Sequence, residues 1–137
     1  MSLNLVLLEA SDDQEAEACR LLKTDPSCGF SQTRSDSLEH HEICSVILSD
    51  SKIVGFYSYR NSNDQLYYFF IAPEYRGKGV ARSALRILVK RLQDRGVQKI
   101  TINMQPEAEL FWRNVLSDFR FVEECGTRYG IEISRQA

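Results

Sequence analysis

Between residues 43 and 71 three β-rich runs, Ile43–Ser49, Ile53–Tyr59 and Gln65–Ile71, follow one another across connections too short for anything but antiparallel neighbours. The connections are Asp50-Ser51-Lys52 and the polar turn Asn61-Ser62-Asn63-Asp64. The third run, Leu66-Tyr67-Tyr68-Phe69-Phe70-Ile71, shows no alternation of apolar and polar residues. That pattern predicts a central strand covered on both faces, so the fold needs a layer on each side of it.

The remaining segments supply those layers. Leu3–Leu8 reads as a first strand, and Ser11 with Gln14 three residues on has the form of a capping box that opens a helix to about Lys23. Thr24 to Glu42 is rich in Ser, Asp, Thr and Pro, with few apolar residues, and reads as a mobile or substrate-facing segment. Past Arg76-Gly77-Lys78-Gly79, Ala81, Ala84, Leu85, Leu88 and Leu92 recur at helical spacing, and Gly96 suits a C-cap. Val97–Met104 reads as a strand, and Pro106 starts a helix to about Asp118. Phe119–Cys125 and Arg128–Ser134 read as a closing hairpin around Gly126-Thr127. The expected fold is α/β, a mixed and predominantly antiparallel central sheet flanked by helices, in one domain over residues 1–137.

Length and composition agree: 137 residues with 43% hydrophobic and 26% charged side chains suffice for one core and exclude a multi-domain chain. With no apolar run near the roughly 20 residues of a membrane span and no leader pattern, the expectation is a cytoplasmic protein without a membrane partner. Cys19, Cys28, Cys44 and Cys125 are scattered, which fits neither a disulfide scaffold nor a zinc knuckle; we read them as reduced thiols packed in the core, and expect no metal.

Charge is unevenly placed. Residues 1–75 hold 5 basic and 12 acidic side chains, residues 76–95 hold 7 and 1, and residues 96–137 hold 5 and 6. The cationic stretch is either a solvated helix face or a local anion site. Its start decides for the second: a strand end, a short loop with Gly77 and Gly79, then a helix N-terminus is a geometry that receives phosphate. The first helical N–H groups lack partners in the chain, and glycine lets the backbone approach a ligand closely. The loop is neither a P-loop of the G-x-x-x-x-G-K-[ST] type nor a G-x-G-x-x-G dinucleotide fingerprint.

The segment Phe70-Ile71-Ala72-Pro73-Glu74-Tyr75-Arg76-Gly77-Lys78-Gly79-Val80-Ala81 closely resembles the signature of the GNAT N-acetyltransferase superfamily, [QR]-x-x-G-x-[GA], with Arg76, Gly79 and Ala81 at the defining places. The resemblance covers roughly residues 43 to 134. It implies acetyl-CoA as cosubstrate, its pyrophosphate cradled by the backbone of Arg76, Gly77, Lys78, Gly79, Val80 and Ala81. It also implies that Phe70, Ile71 and Ala72 hold the pantetheine arm and thioester carbonyl through main-chain bonds, where the strand splays from its neighbour. Where family members show Asn, Ala and Tyr, this chain has Gln105, Ala108 and Trp112. Gln105 is therefore expected at the cofactor, and Trp112 is a candidate to pack on it too, although a core position suits Trp112 slightly better. The family Tyr often serves as general acid, a role an indole does not fill. Many relatives dimerise, so the resemblance admits a homodimer.

The catalytic residue is not identified by the sequence. The central strand carries no carboxylate, and the candidates are Glu42, Glu74 and Tyr129, beside the less partnered His40 and His41 and the strand tyrosines Tyr57, Tyr59, Tyr67 and Tyr68. The reaction implied is direct attack of a primary amine, on a small molecule or a peptide, on the thioester in a ternary complex. Two other readings share parts of this pattern: a non-catalytic acyl-CoA sensor, and a nucleic-acid-binding domain using Arg76 to Arg95, the weakest because the rest of the chain is acidic.

Overall fold

The computed structural model describes residues 4–23, 45–104 and 106–134, and the elements below are numbered within them. In chain order they are β1 (Leu5–Glu9), α1 (Asp12–Lys23), β2 (Ser45–Ser49), β3 (Lys52–Arg60), β4 (Gln65–Ile71), a single 3₁₀ turn (Pro73–Tyr75) and α2 (Val80–Asp94). There follow β5 (Lys99–Asn103), a second 3₁₀ turn (Pro106–Ala108), α3 (Glu109–Val115), β6 (Arg120–Cys125) and β7 (Arg128–Glu132). The capping box forms as the spacing predicts: the Ser11 amide donates to Gln14 Oε1 at 3.0 Å and the Gln14 amide to Ser11 Oγ at 3.3 Å. The helix expected from Pro106 to Asp118 is shorter, a 3₁₀ turn and then seven α-helical residues.

All seven described strands form one sheet in the order β1-β2-β3-β4-β5-β7-β6. Every pairing is antiparallel except β4 with β5, which is parallel. The meander of β2, β3 and β4 thus forms as expected, and β4 is the central strand. Its two faces pack differently. Leu66, Phe69 and Ile71 join a large core with Val80, Leu85, Leu88 and Leu92 of α2 and Trp112 of α3, whereas Phe70 and Ala72 join a smaller one with Phe56, Val46 and Ala18 and Cys19 of α1. Phe56 and Phe70 meet at 5.2 Å between ring centroids, tilted by 60°, a favourable edge-to-face geometry. So α2 and α3 cover one face of the sheet and α1 the other.

Two irregularities matter. Between Ser58↔Tyr68 and Tyr59↔Leu66 the register slips, which places one extra residue, Tyr67, in β4 and bends the strand. The β4–β5 pairing consists of Gln65↔Thr101, the first residue of β4 against the middle residue of β5, with the Thr101 amide donating to Asp64 O at 2.9 Å. Beyond that point the two strands part.

The cysteine expectation needs correction at one position. Cys19 is buried, but Cys125 is exposed, because it lies at the hairpin end of β6, the outer strand of the sheet; Cys28 and Cys44 fall outside the described residues. No described helix is long and apolar enough to cross a membrane.

Candidate functional site

The site begins where β4 ends. The Ala72 amide donates to Val54 O of β3 at 2.8 Å. Since successive residues of a strand direct their backbone groups to alternate sides, the N–H and C=O of Ile71 point the other way, toward the gap left by β5. A tight turn follows, with the Tyr75 amide on Ala72 O at 2.9 Å and the Arg76 amide on Pro73 O at 3.2 Å. It delivers the chain to Gly77 and Gly79, whose φ angles of 74° and 80° lie in the left-handed region that only glycine enters without cost.

Gly79 is the N-cap of α2, and no side chain caps that end. The contrast with α1 is instructive. The N-terminus of α1 has its Ser11–Gln14 cap and three carboxylates, Asp12, Asp13 and Glu15, in its first turn. The first turn of α2 has no acidic residue. The partial positive charge of α2 is therefore not neutralised within its own first turn, and its amides lie at a place glycine keeps open. A Cβ built on Gly77 or Gly79 would meet nothing within 4 Å.

A cavity of about 430 Å³ lies over this loop. Ile71, Arg76, Gly77, Gly79, Val80 and Ala81 line it, together with Tyr75, Arg82, and Leu110, Phe111, Asn114 and Val115 of α3. Its wall is mixed: apolar along Ile71, Val80, Phe111 and Val115, polar at the glycine amides and Arg82. Arg82 bridges α2 to α3 by donating to Asn114 O at 2.7 Å and Asn114 Oδ1 at 2.9 Å. An elongated ligand with an anionic group at one end and an apolar arm fits this wall.

Six of the expected cofactor residues thus surround one cavity. The side chains of Phe70 and Ala72 pack on the α1 face instead, and Lys78 is exposed outside the cavity wall. Trp112 does not line the cavity either. It is 2% exposed, packed against Phe69 at 6.0 Å and Phe111 at 5.1 Å, and its Nε1 is buried with no hydrogen-bond partner among the described residues. Gln105 lies outside the described residues. The motif position 112 does not point to the cavity residues of α3: on an α-helix the neighbouring position is turned by about 100°, so Phe111, with Asn114 and Val115 three and four residues on, forms a different face. The spacing Phe111–Asn114–Val115 was the available signal, and Leu110, 83% exposed, stands at its edge.

The catalytic candidates are dispersed. Glu74 opens on the α1 side, in a separate cavity with Glu17, Lys52 and Leu21. Tyr129 lies beneath the Arg113 guanidinium, 5.6 Å from its ring centre, which that cation shares with Phe121. Glu42, His40 and His41 fall outside the described residues, as does the loop expected over 24–42. Tyr57 and Tyr59 border a cavity of about 600 Å³ with Glu9, Glu15, Arg91 and Arg95, at the end of β4 opposite to Ile71. Among the described residues no three His, Cys, Asp or Glu side chains gather as a metal site would need.

The cationic stretch is engaged piecemeal. Beyond Arg82, Arg86 faces Asp118 at 3.5 Å, Lys90 faces Asp94 at 4.0 Å, Arg91 donates to Leu7 O at 3.0 Å and Arg95 to Asn61 Oδ1 at 2.8 Å. Asp94 lies on α2 itself, and the other partners lie on separate segments around it.

The family model for the acetyltransferase (GNAT) domain matches residues 12–134. The chain belongs to the GNAT acetyltransferases. Solved structures share its fold at low identity. The ribosomal-protein-S18-alanine N-acetyltransferase from Escherichia coli superposes with a TM-score of 0.67 at 13% identity, covering 98% of this chain and 97% of that one. RimL, a ribosomal alpha-N-protein acetyltransferase in complex with coenzyme A, gives 0.71 at 13% identity over 96% and 93%. The PaiA N-acetyltransferase from Thermoplasma acidophilum, in complex with coenzyme A, gives 0.68 at 13% identity over 95% and 98%. Acetyl transfer is the chemistry of this GNAT domain.

Proposed function

We propose that this GNAT domain transfers an acetyl group from acetyl-CoA to a primary amine, on a small molecule or a peptide, by direct attack within a ternary complex. The observation that carries the reading is the convergence of three features on one cavity: the uncapped, carboxylate-free N-terminus of α2, the left-handed Gly77 and Gly79, and the end of β4 where β5 has parted. The names of the solved neighbours support it, since two of those structures contain coenzyme A. A spermidine N-acetyltransferase chimera shares the fold as well, with a TM-score of 0.67 at 15% identity.

In this reading the amides of residues 77–81 hold the pyrophosphate against the positive end of α2. Val80, Phe111 and Val115 cover the apolar arm, and the Ile71 N–H is the main-chain donor nearest the reacting carbonyl, where a fixed dipole stabilises developing negative charge. Acetyl-CoA supplies an activated thioester whose thiolate leaves readily. A dedicated acid is then dispensable, which suits the burial of Trp112 at the place of the family Tyr. Rate comes chiefly from holding the amine on the acyl carbon, and the amine loses its proton to water or to a base outside the described residues.

The test is release of free thiol from acetyl-CoA in the presence of a panel of amines: spermidine, lysine-containing peptides and peptides with free N-termini. Amine-dependent release above the protein-free rate is expected. Tight acetyl-CoA binding with no release across the panel would favour a sensor instead.

A further inference from the structure

Arg76 is the first residue of the loop and carries a cation, so its obvious role is to meet phosphate. Its geometry is different. Its Nε donates to Ile71 O at 2.8 Å, and its guanidinium carbon sits 5.5 Å from the centre of the Phe70 ring. Ile71 is 1% exposed, and its carbonyl points into the gap where β4 has lost its neighbour. A buried carbonyl there costs free energy unless a donor reaches it. The turn from Ala72 to Arg76 brings the side chain back to do so, and stacking on Phe70 fixes the plane of the guanidinium.

Two consequences follow from the alternation along β4. Arg76 engages one lone pair of Ile71 O, so the strand end offers an acyl arm the N–H of Ile71 and the second lone pair of a carbonyl held in place. And because the same residue begins the glycine loop, the loop and the strand end move as one piece.

We propose that Arg76 is a positioning residue that fixes the Ile71 peptide for the acyl arm, and that it is not a phosphate ligand. The proposal rests on the acetyl-CoA reading above. It separates two properties that a phosphate-binding arginine would join: loss of Arg76 should weaken ligands with and without phosphate alike, and a neutral donor should replace it.

The experiment compares acetyl-CoA with S-acetyl-pantetheine, which lacks every phosphate. Binding is followed through the fluorescence of Trp112, the single tryptophan of the chain, which touches the cavity residue Phe111. Arg76→Met removes the donor and Arg76→Gln keeps a neutral one. We expect Arg76→Met to weaken both ligands by the same factor, about tenfold for a lost charge-assisted hydrogen bond, and Arg76→Gln to recover most of both. The proposal is overturned if Arg76→Met, or Arg76→Gln where the Met variant does not fold, weakens acetyl-CoA and leaves S-acetyl-pantetheine unchanged. Wild-type protein that binds neither ligand would overturn the acetyl-CoA reading first, and this role of Arg76 with it.

Discussion

Replacing Gly79 by alanine isolates the conformational demand of the loop. The residue sits at φ 80°, ψ 7°, and an added Cβ would meet no atom within 4 Å. Steric collision therefore contributes nothing, and the cost is that of holding an L-residue in the left-handed region, about 1–2 kcal/mol. For a domain of this size that corresponds to a fall in Tm of roughly 3 to 8 °C. The chain can avoid part of this by turning the peptide out of the left-handed region, but the amides of the α2 N-terminus then turn with it. Stability and acetyl-CoA affinity are thus coupled: whichever loss is smaller, the other is larger. Gly79→Asn should lose less of both, since Asn tolerates this conformation. Gly55→Ala gives the contrast, because its Cβ would collide with the carbonyl oxygen of Phe70 and come within 3.0 Å of the Ile71 side chain. That variant should lose more stability than Gly79→Ala. The assay is thermal unfolding with and without saturating acetyl-CoA. A Gly79→Ala protein with unchanged Tm and unchanged acetyl-CoA affinity would refute the reasoning.

Three further outcomes are expected. Trp112→Phe should destabilise far less than Trp112→Ala, which opens a core cavity at about 3–5 kcal/mol, because the phenyl ring keeps most of the packing and removes an unpartnered buried N–H; equal denaturant midpoints for the two would show that the indole is not core. Gly130→Ala should be destabilising chiefly through Lys99, whose side chain crosses within 2.9 Å of the added Cβ to reach Glu124 at 2.6 Å; in a double-mutant cycle Lys99→Ala should relieve it, and strict additivity would count against that contact. Tyr59 donates to Asp64 Oδ1 at 2.9 Å, and burial, with that bond and the Asp64 charge, raises its phenol pKa while Arg95 opposes. A raised folded-state pKa stabilises fully below the unfolded value of about 10 and is lost as pH climbs beyond it, so Tyr59→Phe should flatten the alkaline fall in denaturant midpoint, and an identical fall in both proteins would exclude the pair as its source.

The strands and the loop were legible because local chemistry determines them. A run without alternation has to be covered on both faces, and Gly77 and Gly79 ahead of an amphipathic helix mark a loop whose backbone a ligand can approach closely. The ranges of β4 and α2 and the capping box accordingly match the sequence to within a residue. What was not legible depends on contacts between distant segments. The parting of β4 from β5 has no local signature, since Gln65 and Thr101 are ordinary strand residues. The extra residue at Tyr67 is likewise hidden in a uniformly apolar run. The motif position of Trp112 suits the cofactor or the core, and only the rotation of α3 in the fold decides, turning Phe111 and Asn114 to the cavity and Trp112 into the core. The charge of Arg76 is visible in sequence, while the Ile71 carbonyl to which its Nε donates becomes apparent only once the strand end has lost its neighbour.

The central claim is that acetyl-CoA lies along the loop and the end of β4. It is tested most directly by titrating acetyl-CoA into isotopically labelled protein and following the backbone amide resonances. The account predicts that the amides of Ile71, Gly77, Gly79 and Val80 shift most and saturate together. Shifts centred instead on the outward arginines of α2, or none at all in the loop, would contradict it.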